Sequence, residues 1–73
     1  MIQQVKLLGL AQIEALVKAA SRQDGEIGVH DANGDIADAK SILGILRLDW
    51  SRPVQIETEN ERALRKCLRA LTA

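Results

Sequence analysis

The sequence contains no Phe and no Tyr, and Trp50 is its sole aromatic residue. Any hydrophobic core must therefore be aliphatic. The single cysteine, Cys67, excludes an internal disulfide, and one histidine cannot complete a zinc site with it. A reducing cytoplasm is the compartment this cysteine usage predicts. Net charge is absent too: Lys and Arg number 10, as do Asp and Glu. A nucleic-acid partner would require a basic footprint, and a polyanionic membrane surface is disfavoured on the same ground. No apolar run approaches the ~20 residues of a membrane span. The opening MIQQVKLLGL lacks the charged start, apolar stretch and small-residue cleavage site of a secretory signal. With 73 residues, the chain is read as one domain over 1–73, with no repeat, linker or low-complexity segment.

What is present is a regular alternation of short patterns. Ile2 to Leu8 reads as a strand, with Val5 and Leu7 alternating with Gln4 and Lys6. Ile13, Leu16, Val17 and Ala20 follow the spacing of an amphipathic helix, with Glu14 and Lys18 four apart on its outer side. Asp24-Gly25 predicts a turn. Glu26 to His30 reads as a second strand, with Ile27 and Val29 on one face. Asn33-Gly34 predicts a hairpin, since both residues tolerate positive φ, and Asp35 to Asp38 the returning strand with Ile36 inward. Ile42 to Leu46 predicts a short helix ending near Leu48-Asp49. Pro53 opens a fourth strand with Val54 and Ile56 inward. Thr58 and Glu61 have the spacing of a capping box. The last helix buries Ala63, Leu64, Cys67, Leu68 and Leu71, and turns Arg62, Arg65, Lys66 and Arg69 to water. The order β-α-β-β-α-β-α predicts an α+β fold: an open-faced β-sandwich, a four-stranded antiparallel sheet with three helices on one face.

Three stretches in this order carry a resemblance: Leu16-Val17-x-x-Ala20-Ser21, Asn33-Gly34, and Lys40-Ser41-Ile42-Leu43-Gly44-Ile45-Leu46. Together they resemble the histidine-containing phosphocarrier (HPr) family of the bacterial sugar phosphotransferase system. The likeness runs from Leu16 to Leu48; beyond it rests on element order. The family carries Gly-[IL]-His-Ala-Arg-Pro before its first helix, and the histidine accepts a phosphoryl group. This chain reads Gly9-Leu10-Ala11-Gln12-Ile13 there. Neither alanine nor glutamine can form a phosphoramidate, and the arginine that would hold a phosphate bidentately is also missing. The resemblance therefore implies an HPr-like protein without the family's phosphotransfer.

The resemblance also points to residues. Ser41 matches a serine that an ATP-dependent kinase phosphorylates in Gram-positive members. A phosphate there would meet free backbone N–H groups, with Lys40 nearby. The plainer alternative is that Ser41 only caps the short helix. Ile42, Leu43, Leu46 and Arg47 match the family's partner-docking helix. Four aliphatics in five positions exceed one buried stripe, so Ile45 and Leu48 are expected inward, with Leu43 and Leu46 outward. The alternative is that all are core. His30, the sole histidine, is the one available substitute phosphoacceptor, but strand parity puts it on the sheet face away from the helices as a solvated side chain. Cys67 falls on an apolar stripe as an inert thiol. Trp50 either covers the core edge or anchors a partner.

The expected function is non-catalytic: an HPr-like protein acting by protein binding and regulated by serine phosphorylation at Ser41. No cofactor or metal is expected. The expected partners are phosphotransferase-system enzymes, a serine kinase or a transcription regulator. The alternatives are a phosphocarrier that uses His30, and a structural module forming a homodimer through Trp50 and the aliphatic helix.

Overall fold

Alternation along the strands decides which side of the sheet can be covered. In the computed structural model, which describes residues 1–72, the elements are β1 (Ile2–Val5), α1 (Leu10–Ser21), β2 (Gly28–His30), β3 (Ile36–Asp38), α2 (Ile42–Leu46), β4 (Val54–Glu57) and α3 (Glu61–Thr72). The strands form one antiparallel sheet in the order β1-β4-β2-β3, with the three helices against one face. Val54 and Ile56 are buried, so their partners Val5, Gln3 and Val29 share the covered face. Ile2, Gln4, Gln55, Glu57, Gly28 and His30 take the opposite, uncovered face. The covered side meets Ile13, Leu16 and Ala20 of α1, Ile45 of α2, and Ala63, Leu64 and Cys67 of α3. Leu7 and Ile27 complete this aliphatic layer from loops just outside the strands. Trp50 is half-buried against it, as are Val17, Leu68 and Leu71.

Two local expectations are corrected. Ile36 does not face inward; it is 65% exposed. It lies opposite His30, whereas Ala37 lies opposite buried Val29 and takes the covered position. The hairpin loop sets this register. Gly34 N–H donates to Asp31 O at 3.1 Å, and Asp31 N–H donates to Asp35 O at 2.9 Å. The loop is thus a turn through Ala32 and Asn33, followed by Gly34 at φ 87°. Asn33 keeps a negative φ, since a three-residue loop of this kind needs only one left-handed position, which glycine takes without a Cβ penalty.

The capping box at Thr58 and Glu61 does not form either. Asn60 caps α3, its Oδ1 accepting the Ala63 N–H at 3.1 Å. Thr58 is buried and its Oγ1 accepts the Asn60 N–H, so it shapes the turn before the cap. Glu61 pairs with Arg65 at 3.3 Å instead of reaching backwards. Glu14 and Lys18 both stay exposed, and no ion pair joins them among the described residues.

Parity predicts a sharp contrast between two isoleucines. Ile56→Ala should cost about 2–5 kcal/mol, because a fully enclosed side chain leaves a cavity. Ile36→Ala should stay within about 0.5 kcal/mol of the parent. Urea unfolding monitored by circular dichroism measures both.

Candidate functional site

The first turn of the short helix α2 is closed by local bonds. Ser41 is extended (φ −110°, ψ 106°), and its Oγ accepts the Gly44 N–H at 3.1 Å. That satisfies one of the donors every helix start leaves free. The Ser41 N–H donates to Asp38 O at 2.9 Å, and the Lys40 N–H to Asp38 Oδ1 at 2.9 Å, so the chain turns directly from β3 into the helix. Ala39, fully buried, ties this turn inward through its N–H to Ile27 O at 2.8 Å. Gly44 sits in close quarters: a Cβ there would lie 3.1 Å from Ser41 Oγ and 3.3 Å from Ala37 Cβ, tight contacts that these neighbours would have to ease by a few tenths of an ångström. The helix therefore lies close upon β3, and it also packs on α1.

Within α2 the side chains divide. Ile45 is fully buried and Leu48, just beyond the helix, is buried. Leu43 is 72% exposed, Leu46 40% and Ile42 36%. Arg47 is exposed beside them at the helix end. One helical turn thus carries an apolar edge to solvent on a backbone anchored from below.

The far end of α2 is held by Asp31, a residue the sequence pattern did not single out. Its Oδ1 accepts the N–H groups of Asn33 (2.9 Å) and Asp35 (3.0 Å), and its Oδ2 accepts that of Asp49 (2.9 Å). One carboxylate thereby joins the β2–β3 loop to the loop after α2. The Asp49 N–H does most to hold the Asp31 carboxyl below its ordinary range; the Asp35 and Asn33 N–H groups assist, against desolvation and the Asp49 charge. The Asp49 carboxyl is lowered likewise, first by the Ser51 hydroxyl, then by the Ser51 N–H, with Arg52 adding attraction. Arg52 also donates to Asn33 Oδ1 at 2.8 Å, a second link between the two loops.

The remaining candidates lie elsewhere. His30 is on the uncovered face, its Nε2 2.7 Å from Glu57 Oε1, so it is half-buried and paired rather than freely solvated. At the start of α1, Gly9 is extended and offers no side-chain cap. Gln12 does the fastening there: its Oε1 accepts the Leu8 N–H at 2.8 Å and its Nε2 donates to Leu71 O at 3.0 Å. Cys67 is fully buried, and burial pushes its thiol pKa up. Among the described residues, no group of three or more His, Cys, Asp and Glu is placed to hold a metal ion. No helix among them is long and apolar enough to cross a membrane.

Two outcomes are expected. Ser41→Ala should cost about 1 kcal/mol in urea unfolding, the usual value of a lost helix cap. Asp31 has a folded pKa below its unfolded one, so its contribution is fully present above pH ~4 and disappears as pH falls through the folded value. Asp31→Asn should therefore lower Tm at pH 7 and flatten the acid limb of a Tm–pH profile. No family model matches this chain, and no curated protein matches it in sequence.

Proposed function

We propose that this chain is a non-catalytic, HPr-like domain that binds a protein partner through α2, with Ser41 as a phosphorylation switch. The observation that carries the reading is the exposed edge formed by Ile42, Leu43 and Leu46 on an anchored helix. An isolated turn of helix would lose its order in water. Here the fold bears that ordering cost before any partner arrives, which favours tight docking. Arg47 adds a polar rim of the kind found around interface anchors. The HPr-like assignment is supported by the Lys40 to Leu48 block and by the element order.

Phosphate on Ser41 would add about −1.5 to −2 charges at the edge of the apolar patch. It would also disturb the bond to Gly44 N–H, so the modification would alter both charge and helix order. Phosphotransferase-system enzymes, a serine kinase or a transcription regulator are the partners this reading implies, in the cytoplasm. The phosphocarrier alternative is less well supported, because His30 is engaged with Glu57 on the sheet face turned from α1 and α2. A carboxylate 2.7 Å from the ring would repel an incoming phosphoryl group.

The test has two parts. Intact mass is measured after incubation with the phosphoenolpyruvate-driven donor enzyme, and separately with the family's serine kinase and ATP. A phosphate from the kinase alone, lost in Ser41→Ala, is expected. A phosphate from the donor enzyme would replace this reading with the phosphocarrier one. Leu43→Glu should leave Tm nearly unchanged and weaken kinase binding by about 2 kcal/mol or more in titration calorimetry. Unchanged binding would remove α2 as the docking surface.

A further inference from the structure

The chain has no net charge, yet part of its charge gathers into two patches of opposite sign. The uncovered sheet face opens into a groove of about 860 Å³ at the end where β2, β3 and β4 meet the Asp24–Gly25 turn and the β4–α3 connection. Five of the chain's 10 carboxylates line it: Asp24, Glu26, Asp38, Glu57 and Glu59. No lysine or arginine does. Glu57 is paired with His30, and the other four make no ion pair among the described residues.

A basic patch lies on α3, in the helix layer. Arg62, Arg65, Lys66 and Arg69 recur at the i, i+3, i+4, i+7 positions of α3 and are all exposed, while Ala63, Leu64 and Cys67 face the core. They form one basic stripe on the outer surface of the helix layer. Among the described residues only Arg65 is paired, with Glu61 in its own helix. The stripe is about 10 Å long at 1.5 Å per residue. The groove crosses β4, β2 and β3, two strand spacings or about 10 Å. Length and charge therefore match.

We propose that a second copy of this chain occupies the groove, laying the basic stripe of its α3 against the acidic sheet face of the first. This surface is separate from α2, and the inference does not depend on the function proposed above. The contact joins two different patches, so it is heterologous: each copy keeps one free patch and association continues past a dimer unless a ring closes. It is also electrostatic and exposed, so salt weakens it as the screening length falls to ~10 Å at 0.1 M and ~3 Å at 1 M.

Sedimentation equilibrium at several protein concentrations tests this. At low ionic strength the mean mass should rise with concentration beyond twice the 8.0 kDa of one chain, and return to 8.0 kDa in 1 M salt. Asp24→Lys/Glu26→Lys/Glu59→Lys and Arg62→Glu/Lys66→Glu/Arg69→Glu, which invert the net sign of the groove and of the stripe, each checked for fold by circular dichroism, should each stay monomeric. Mixing the two variants should restore association, since reversed groove then meets reversed stripe. A constant 8.0 kDa at low salt overturns the proposal. So does association that survives either reversal, which Leu43→Glu would then assign to α2. Binding of an oligolysine peptide in the groove without self-association would also overturn it, in favour of a basic foreign partner.

Discussion

A single aliphatic layer between the sheet and the helices holds this domain together. Ile13, Leu16, Val29, Ile45, Val54, Ile56 and Cys67 are fully enclosed within it, and no phenylalanine or tyrosine contributes. Branched aliphatics fill such a layer only if each strand presents every second residue to it, because small side chains leave no slack for a slipped register. The rest follows from that constraint. The other sheet face is left uncovered and polar, the loops must reverse the chain within a few residues, and α2 is drawn down by buried Ile45, with Leu48 just beyond it. At this size the enclosed fraction is modest, so each enclosed side chain carries a large share of a small stability.

The position of α2 shows how polar bonds complete what apolar burial begins. Ile45 anchors the helix from beneath, Ser41 closes its first turn, and Asp31 holds the loop after it from 18 residues away. Gly44 permits the close approach to Ala37. The exposed edge formed by Ile42, Leu43 and Leu46 is thus presented on a braced backbone rather than on a mobile segment. That is the physical content of the docking proposal: the entropy cost of ordering the helix is met by folding, not by binding.

The start of α1 is fastened by a single polar side chain. The amide of Gln12 serves as both acceptor and donor, to Leu8 and Leu71, and so links the turn before α1 to the end of α3. No buried side-chain polar atom among the described residues is left without a partner. In this chain the polar groups at the helix ends are spent on holding the fold.

The strand and helix order, the buried stripes of α1 and α3, the inward Ile45 and the Ser41 cap were all legible in the sequence. Each depends on residues within one or two turns, where apolar periodicity and cap chemistry act directly. Ile36, Asn60, Gln12 and Asp31 were not. The side Ile36 faces depends on pairing with His30 across the hairpin, and that register came from a loop in which one glycine, not an Asn-Gly pair, takes positive φ. Asn60 displaced the Thr58–Glu61 box once burial of Thr58 had fixed the turn before α3. Gln12 and Asp31 bond to partners 59 and 18 residues away, which no local pattern encodes. The sequence by itself determined the elements and their apolar faces, because those follow from nearest neighbours along the chain. Tertiary structure decided register, long-range polar links and the gathering of five carboxylates in one groove, because these exist only once distant segments share one core.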